Sequence, residues 1–246
     1  QQIPPAGVVS HSFNVRVPQG AELTQPYWRR NPNLDRYEVL NQEDPTAPWS
    51  PPAVGVRVAY ESNGTASTLH SAARYRYAGP WVGGEQRHEL MVVPAVSLTA
   101  HPGISIIPLD QASQGREVRV IALNNNPEPH SGRIELEVPP GWEVVPREAP
   151  VSFTHEAQSI TTKFVVTAPP GISTGEFEIR AVGYFQGQTY QQGYQVIDYH
   201  HIQRRLWYTP STIQVKTLDV KVRSDLSIAY IMGVGDRVPE ALQQLG

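Results

Sequence analysis

The stretch "GRIELEVPPGW", residues 132–142, decides the fold class of this chain. Its apolar and charged residues alternate strictly, with Ile134, Leu136 and Val138 against Arg133, Glu135 and Glu137. Because successive side chains of a β-strand point to opposite faces, the alternation predicts a strand with one buried face. Pro139, Pro140 and Gly141 then form a turn signal, and we interpret Trp142 after it as a core residue.

Strands of the same kind are predicted on both sides of this stretch. In the second half of the chain they are residues 95–108, 116–125, 160–170, 175–185, 189–202 and 211–223. Asn-Asn-Asn-Pro and Pro-Pro-Gly segments lie between them, and the 23 prolines, 19 glycines and 17% charged residues suit short strands joined by turns. We therefore predict an Ig-like β-sandwich over residues 95–226.

The first half predicts a second sandwich, over residues 1–94. Its strands are residues 11–18, 54–60, 73–78 and 87–94, and Asn63-Gly64 is a strong hairpin signal. A long Pro-rich loop spans residues 19–52. The predicted fold class is therefore all-β, with two Ig-like or fibronectin-like β-sandwich domains and a boundary near Pro94.

The last stretch, "IAYIMGVGDRVPEALQQLG" at residues 228–246, has a different pattern. It predicts a strand at 228–232, a glycine turn at 233–236 and a helix at 238–245. We interpret residues 227–246 as the βα start of a truncated α/β domain. Because a lone short helix is marginal in water, we expect the strand to add to a sandwich edge and the helix to lie on a sheet face, or the tail to pair with a neighbouring chain.

Composition excludes several classes of protein. The formal net charge is −3 and no basic stripe is present, so a nucleic-acid partner is not expected. No apolar run approaches the roughly 18 residues of a membrane span. The chain has no cysteine, which excludes a disulfide framework and thiolate zinc sites.

The motifs that could carry catalysis lack essential residues. In "TAHPGIS", residues 99–105, Gly103 and Ile104 follow His101-Pro102, and neither can bind a metal or transfer a proton. His200 and His201, if they lie on a strand, point to opposite faces and cannot chelate one metal. "GVGDRV" at 233–238 has two of the three glycines of a dinucleotide fingerprint. We therefore predict no catalytic residue, no metal site and no cofactor in this segment.

Aromatic residues in the Pro/Gly-rich loops of the first half are the candidate ligand-binding residues. They are Tyr27, Trp28 and Trp49. Exposed aromatic rings on a rigid loop can stack on a sugar, and the same rings can instead cover an open end of a sandwich. The sequence leaves both alternatives open.

Four stretches occur in an order that resembles a known family: "TQPYW" (24–28), "VPPGWEVVP" (138–146), "YHHI" (199–202) and the stretch 228–246. They resemble the central β-sandwich region of large bacterial PIG-L (LmbE-like) deacetylases, running into the start of their glutamine-amidotransferase-like domain. The second sandwich, with its Pro-Pro-Gly-Trp turn, also looks like the Ig-like domain found beside carbohydrate-binding modules in α-galactosidases.

The resemblance implies a parent protein with an N-terminal zinc hydrolase domain that removes acetyl groups from N-acetylglucosaminyl glycans, secreted or periplasmic. That domain carries an AHPDD motif, whose carboxylates are replaced here by Gly103 and Ile104. The resemblance thus implies a non-catalytic segment that spaces or supports the hydrolase, with the other domains of the parent chain as partners. The alternative is a carbohydrate-binding module that grips a polysaccharide with its loop aromatics.

Overall fold

The computed structural model describes residues 3–4, 6–18, 20–31, 34–40, 51–78, 84–199, 201–202, 204–221, 225, 227–233, 235 and 238–245. The strands in chain order are β1 (Trp28–Asn31), β2 (Arg36–Val39), β3 (Gly55–Ser62), β4 (Thr65–Ala72), β5 (Arg74–Ala78), β6 (Glu85–Glu89), β7 (Val96–His101), β8 (Ile104–Pro108), β9 (Arg116–Asn124), β10 (His130–Glu137), β11 (Glu143–Val145), β12 (Glu148–Phe153), β13 (Ser159–Thr167), β14 (Gly175–Phe185), β15 (Gln188–Tyr190), β16 (Gln192–Ile197), β17 (Arg205–Pro210) and β18 (Thr212–Leu218). One α-helix is described, α1 (Val238–Leu245), together with a 3₁₀ turn at Leu109–Gln111. The predicted all-β class is confirmed.

The chain divides into two compact units. The first comprises Gln1–Thr24 with Ser50–Val92, and the second comprises Gln25–Trp49 with Val93–Gly246. The sequence placed the whole Pro-rich loop, 19–52, in the first domain, whereas the structure assigns most of it to the second unit. Contacts between rings explain the difference, because Trp28 of β1 packs against Trp207 of β17 within the second unit.

The second unit is built on a β-sandwich. One sheet has the strand order β12-β10-β14-β18-β8, with β15 paired to β14, and the other has the order β11-β13-β9-β7. The buried apolar side chains of both sheets form one core cluster. An antiparallel ribbon of β16 and β17 accompanies the sandwich, and Gly193 of β16 lies too close to the Leu98 backbone of β7 to carry a side chain.

Strand β10 has the inward face that its alternation predicted. Ile134 and Leu136 are buried, and Val138 packs against the core from just beyond the strand. Trp142, only 8% exposed, packs with its ring centroid 5.5 Å from that of Phe177. The predicted core position of Trp142 is therefore confirmed.

Asn124, at the end of β9, is a fully buried polar residue in this apolar core. Its side-chain Nδ2 donates to the carbonyl oxygens of Asn126 at 2.9 Å and His155 at 2.8 Å. Its Oδ1 accepts from the backbone N–H of Asn126 at 2.8 Å. Because a buried amide is tolerated only when its donors and acceptors are paired, Asn124 fixes the turn at 124–126 to the segment around His155.

The described part of the first unit consists of hairpins and connecting segments. Strands β3 and β4 pair around the predicted Asn63-Gly64 turn, where both residues have positive φ, and β5 pairs with β6. Among the described residues of 1–92, β3–β4 and β5–β6 each form a separate two-stranded sheet, and the first sandwich stays a prediction. Alternation identifies the apolar face of a strand but not what covers it, and Val58 remains 46% exposed.

The predicted strand at 11–18 is also absent from the structure, although Phe13, Val15 and Val17 alternate. A strand needs a hydrogen-bonding neighbour, which an alternating pattern does not supply. The same reason applies to residues 228–232, which the sequence predicted as a strand and which the structure describes as irregular. Helix α1 has the bounds that the sequence predicted, Val238–Leu245.

Helix α1 docks on the free edge of β8, the last strand of its sheet. The carboxamide of Gln244 is hydrogen-bonded to the backbone of Ile104 and Ile106. Gln111 donates to the carbonyl oxygen of Leu245 at 3.2 Å. Within the described part of the chain, no helix combines the length and the apolar character that a membrane crossing needs.

Candidate functional site

The hairpin of β1 and β2 carries the first aromatic cluster, which lies in the second unit. Register places Trp28 opposite Val39 and Arg30 opposite Tyr37, so that these side chains share one face of the hairpin. Trp28 contacts the diagonal neighbour Tyr37 edge-on, with centroids 5.0 Å apart and an interplanar angle of 88°. Its ring also tilts at 44° against Trp207, 6.2 Å away.

The opposite face of this hairpin is polar. Glu38 accepts hydrogen bonds from Asn31 Nδ2 at 2.6 Å and from Arg29 Nε at 3.0 Å. These two contacts, that of Asn31 first, hold the pKa of the Glu38 carboxyl below its usual value. The two aromatic rings therefore lie on one face of the hairpin, together with Arg30, and the Glu38 network lies on the other.

The structure places the three predicted ligand-binding residues differently. Tyr27 is half-buried, and its carbonyl oxygen accepts from the Leu40 N–H at 2.6 Å. Trp28 is half-buried and begins a strand, whereas the sequence placed it in a loop because of the surrounding prolines. Trp49 lies outside the described residues, as does Trp81 of the first half. The structure therefore brings Trp28 together with Tyr37 and Trp207, two residues that the sequence did not select.

Two tyrosines form a second cluster on the β16–β17 ribbon. Tyr194 and Tyr208 are cross-strand partners with centroids 5.8 Å apart, and the Tyr194 hydroxyl donates to Asn125 Oδ1 at 2.8 Å. Burial raises the pKa of Tyr208 to about 12, and the neighbouring Tyr194 adds to the rise. Burial also raises the pKa of Tyr194. Both phenols are therefore neutral near pH 7 and cannot serve as bases there.

The third cluster, here called the tyrosine–histidine surface, consists of Tyr75, Tyr77 and His88 on the β5–β6 hairpin of the first unit. Tyr75 pairs directly with His88 across the hairpin. The ring centroids lie 5.1 Å apart for Tyr77 and His88, 5.7 Å for Tyr75 and His88, and 5.9 Å for the two tyrosines. The Tyr77 hydroxyl is 2.7 Å from His88 Nε2. The sequence analysis missed this surface, although "RYRYA" at 74–78 places both tyrosines on one face.

The other face of this hairpin is covered by ion pairs. Arg74 pairs with Glu89 at 3.4 Å, and Glu85 pairs with Arg87 at 2.6 Å and Arg76 at 3.3 Å. The hydrogen bond from Arg87 is the main reason that the pKa of the Glu85 carboxyl is lowered. These charges therefore pair with one another on the face opposite the rings.

The shifted carboxyl groups do not suit acid catalysis. Each described carboxyl group whose pKa shifts, in Glu38, Glu85 and Glu176, has it lowered by a hydrogen-bonded neighbour, Lys216 in the case of Glu176. A general acid needs a raised pKa, so that it still holds its proton near neutral pH. These three groups are therefore ionised partners of surface ion pairs.

Of the histidines that the sequence analysis weighed, His101 and His201 are among the described residues. There, no three His, Asp or Glu side chains gather as a metal site would require. His101 is exposed at the end of β7. His200 is outside the described residues. His201 lies in a turn beyond β16, which ends at Ile197, so the argument from opposite strand faces does not apply to it.

Comparison with protein families gives one match within the second unit. Residues 112–185 match the family described as the NPCBM-associated, NEW3 domain of alpha-galactosidase. The matched region covers less than a third of the chain and runs from just after the 3₁₀ turn to the last residue of β14. The sequence-based expectation that this sandwich is similar to a domain accompanying α-galactosidase is confirmed for these residues.

Curated proteins and solved structures add little to this match. No curated protein matches the chain. Similar solved structures include the periplasmic chaperone SfaE (12% identity, TM-score 0.29, 49% of this chain and 56% of that chain). Native alpha-2-macroglobulin of E. coli is 14% identical, with a TM-score of 0.34, over 63% of this chain and 9% of that chain. SSP-19, an MSP-domain protein-like family member of Caenorhabditis elegans, is 12% identical, with a TM-score of 0.27, over 48% of this chain and 97% of that chain. The chain spans just over half of the chaperone and about a tenth of the macroglobulin. The TM-scores are low, and no functional conclusion rests on them.

Proposed function

We propose that this chain is a non-catalytic β-sandwich accessory segment of a larger carbohydrate-active enzyme, in which it spaces or supports a hydrolase domain. The observation that carries the proposal is the match of residues 112–185 to a domain associated with alpha-galactosidase. The matched residues contribute β9 to β14, and thus strands of both sheets of the sandwich. The similarity therefore concerns the β-sandwich of the second unit rather than a loop or a single motif.

The finer proposal concerns the parent protein. The order of "TQPYW", "VPPGWEVVP", "YHHI" and the stretch 228–246 supports a PIG-L (LmbE-like) zinc-dependent deacetylase of N-acetylglucosaminyl glycans, secreted or periplasmic. Under this proposal the partners of the segment are the other domains of the parent chain. Its catalytic zinc belongs to the hydrolase domain, because Gly103 and Ile104 stand where the AHPDD motif has its carboxylates.

Activity and metal content of the purified chain test the accessory role. We expect no release of acetate from an N-acetylglucosamine oligomer and no release of nitrophenol from p-nitrophenyl α-galactoside. After dialysis we expect less than one equivalent of zinc by atomic emission. Turnover that persists in a preparation purified to homogeneity, or one tightly bound zinc per chain, would contradict a non-catalytic segment.

The identity of the parent is tested separately. The gene that encodes this segment is expected to encode a hydrolase domain with an AHPDD motif on the N-terminal side of the segment. Activity of the two-part protein is then compared with that of the isolated hydrolase domain on a glycan polymer. A hydrolase domain of the α-galactosidase type in that position would retain the accessory role and refute the deacetylase parent.

A further inference from the structure

We propose that Asn63, at the tip of the β3–β4 hairpin, is an acceptor site for N-linked glycosylation, to which an oligosaccharide is transferred from a polyprenyl pyrophosphate. The inference rests on the secreted or periplasmic location of the proposed function, because N-linked glycans are attached to proteins that leave the cytoplasm. The site lies in the first unit, outside the region that matches a known family.

The residues around this turn form an acceptor motif. Asn63-Gly64-Thr65 is an Asn-x-Thr sequence without proline at its middle position. Of the eight asparagines in the chain, only Asn63 has a serine or threonine two positions later. Glu61 stands two positions before Asn63, where bacterial oligosaccharyltransferases require an acidic residue. A three-residue motif occurs readily by chance, and the acidic residue makes this match more selective.

The structure presents the motif on a protruding turn. Ser62 pairs with Thr65, so Asn63 and Gly64 are the two turn residues, and both have positive φ, 50° and 76°. Residues 61–65 are all exposed. In the described part of the chain, a methyl group on Gly64 would meet nothing within 4 Å beyond its chain neighbours. A transferase has to enclose the acceptor amide, and a two-residue turn at the end of two eight-residue strands leaves room for it.

The transfer is a substitution at the first sugar of the donor. The Asn63 Nδ2 forms a bond to the anomeric carbon while the bond from that carbon to the pyrophosphate oxygen breaks. The electron pair of the broken bond leaves with the polyprenyl pyrophosphate, and one amide proton passes to a base of the transferase. Thr65 supplies the hydroxyl that the motif requires, two residues beyond the acceptor amide.

The face of the hairpin next to the turn suits an attached sugar. The register sets Tyr60 diagonally across from Thr65 on the same face, and Tyr60 is 53% exposed. The C–H groups of a pyranose can pack on the face of an aromatic ring. Val58 and Leu69 pair on this face and are 46% and 58% exposed. A hydrophilic glycan beside them would shield an apolar surface that otherwise favours association.

Export of the full chain to a bacterial periplasm that contains an oligosaccharyltransferase and its lipid-linked oligosaccharide tests the proposal. Trypsin releases the turn within residues 58–74, because Arg57 and Arg74 are the flanking cleavage sites. We expect mass spectrometry to show this peptide with the added mass of one oligosaccharide, attached at Asn63. An established acceptor protein exported in the same cells shows that the transferase is active.

Single substitutions test each part of the motif. Asn63→Gln, Thr65→Val and Glu61→Gln should each abolish the modification, whereas Thr65→Ser keeps the hydroxyl and should retain it. Asn14→Gln is the matched control, because Asn14 is exposed and is followed two positions later by an arginine. This variant should be glycosylated as the wild type is.

The result for the wild-type chain does not depend on the folding of any variant. An unmodified peptide 58–74, in cells that glycosylate the established acceptor, would overturn the proposal. A glycan that persists in Asn63→Gln would also overturn it. A parent protein found in the cytoplasmic fraction of its own cells would instead refute the secreted location on which the inference rests, so the two failures are distinguishable.

Discussion

The side-chain amide of Gln244 is hydrogen-bonded to β8 as a neighbouring strand would be. Its Oε1 accepts from the Ile106 N–H at 2.5 Å, and its Nε2 donates to the Ile104 carbonyl oxygen at 3.1 Å. Both backbone groups lie on the free edge of β8, whose other edge pairs with β18. An exposed edge of this kind is a site for pairing with another chain, and helix α1 covers it.

Substitution of Gln244 should expose this edge. In Gln244→Ala the N–H of Ile106 and the carbonyl of Ile104 lose their partner, and α1 loses a principal attachment. We therefore expect increased self-association, measured by light scattering after gel filtration over a range of concentrations. Gln243→Ala is the matched control, since Gln243 is exposed and precedes Gln244 directly. Equal association of the two variants would contradict a protective role for Gln244.

Truncation of Trp142 should strongly destabilise the second unit. Its side chain is buried against Phe177, and removal of a buried aromatic side chain typically costs about 3–5 kcal/mol. We expect Trp142→Ala to lower the free energy of unfolding by this amount in urea denaturation followed by circular dichroism. Val145→Ala, at a neighbouring position that is 66% exposed, should change it by about 0.5 kcal/mol or less. A loss below about 1 kcal/mol for Trp142→Ala would place the ring outside the core.

Removal of the Asn124 side chain should also destabilise the second unit, because buried polar groups lose their hydrogen-bond partners. Asn124→Ala leaves the carbonyl oxygens of Asn126 and His155 without the donor that they now share. An unsatisfied buried group costs about 1–3 kcal/mol, and we expect a loss of that size in urea denaturation. Asn14→Ala, at an exposed position of the first unit, serves as control. No difference between the two variants would show that water replaces the amide.

Alkaline pH should lower the stability of the second unit through Tyr208, one of the two half-buried tyrosines of the β16–β17 ribbon. Tyr208 has a usual pKa of 10.0 when unfolded and about 12 when folded, because burial disfavours the phenolate. Between these values the unfolded chain loses a proton that the folded chain keeps, so the free energy of unfolding falls as pH rises. Below about pH 10 the contribution of Tyr208 to stability is complete.

The test compares the wild-type chain with Tyr208→Phe in urea denaturation from about pH 9 to about pH 12. The variant cannot ionise at this position, and its stability should fall less steeply over that interval. Tyr199→Phe is the control, since Tyr199 is 61% exposed. Parallel pH profiles for wild type and Tyr208→Phe would refute the assignment.

The sequence predicted the sandwich of the second unit because each of its strands has a recognisable local pattern. In β10 the alternation of Ile134 and Leu136 with charged residues is local, and so is the turn signal before Trp142. Helix α1 was likewise predicted with its observed bounds from the local pattern of Val238–Leu245. For the first unit, the alternation of Val56 and Val58 shows that one face of β3 is apolar but not whether a second sheet covers it.

The aromatic sites depended on contacts that a linear pattern does not contain. Trp28 meets Tyr37 only because a turn at Leu34 and Asp35, with φ of 46° at Asp35, folds β1 onto β2. The surrounding prolines suggested a loop instead. The tyrosine–histidine surface requires the register that sets Tyr75 opposite His88. The alternation of Tyr75 and Tyr77 along β5 is visible in the sequence. The third ring, His88, belongs to β6, and its pairing with Tyr75 is not visible there.

The parallel pairing of β18 with β8 determines when the second unit can be completed during its synthesis. Val215 of β18 pairs with Ser105 of β8, and Ile213 and Val215 are fully buried in the core. A nascent chain that has emerged only as far as β17 therefore lacks the strand that lies between β14 and β8. Contacts so distant along the chain form slowly, and a domain folds as a unit once its segments have left the ribosome. Until about residue 218 has left the ribosome, β14 and β8 lack the strand that joins them, and we expect the second unit to remain incomplete.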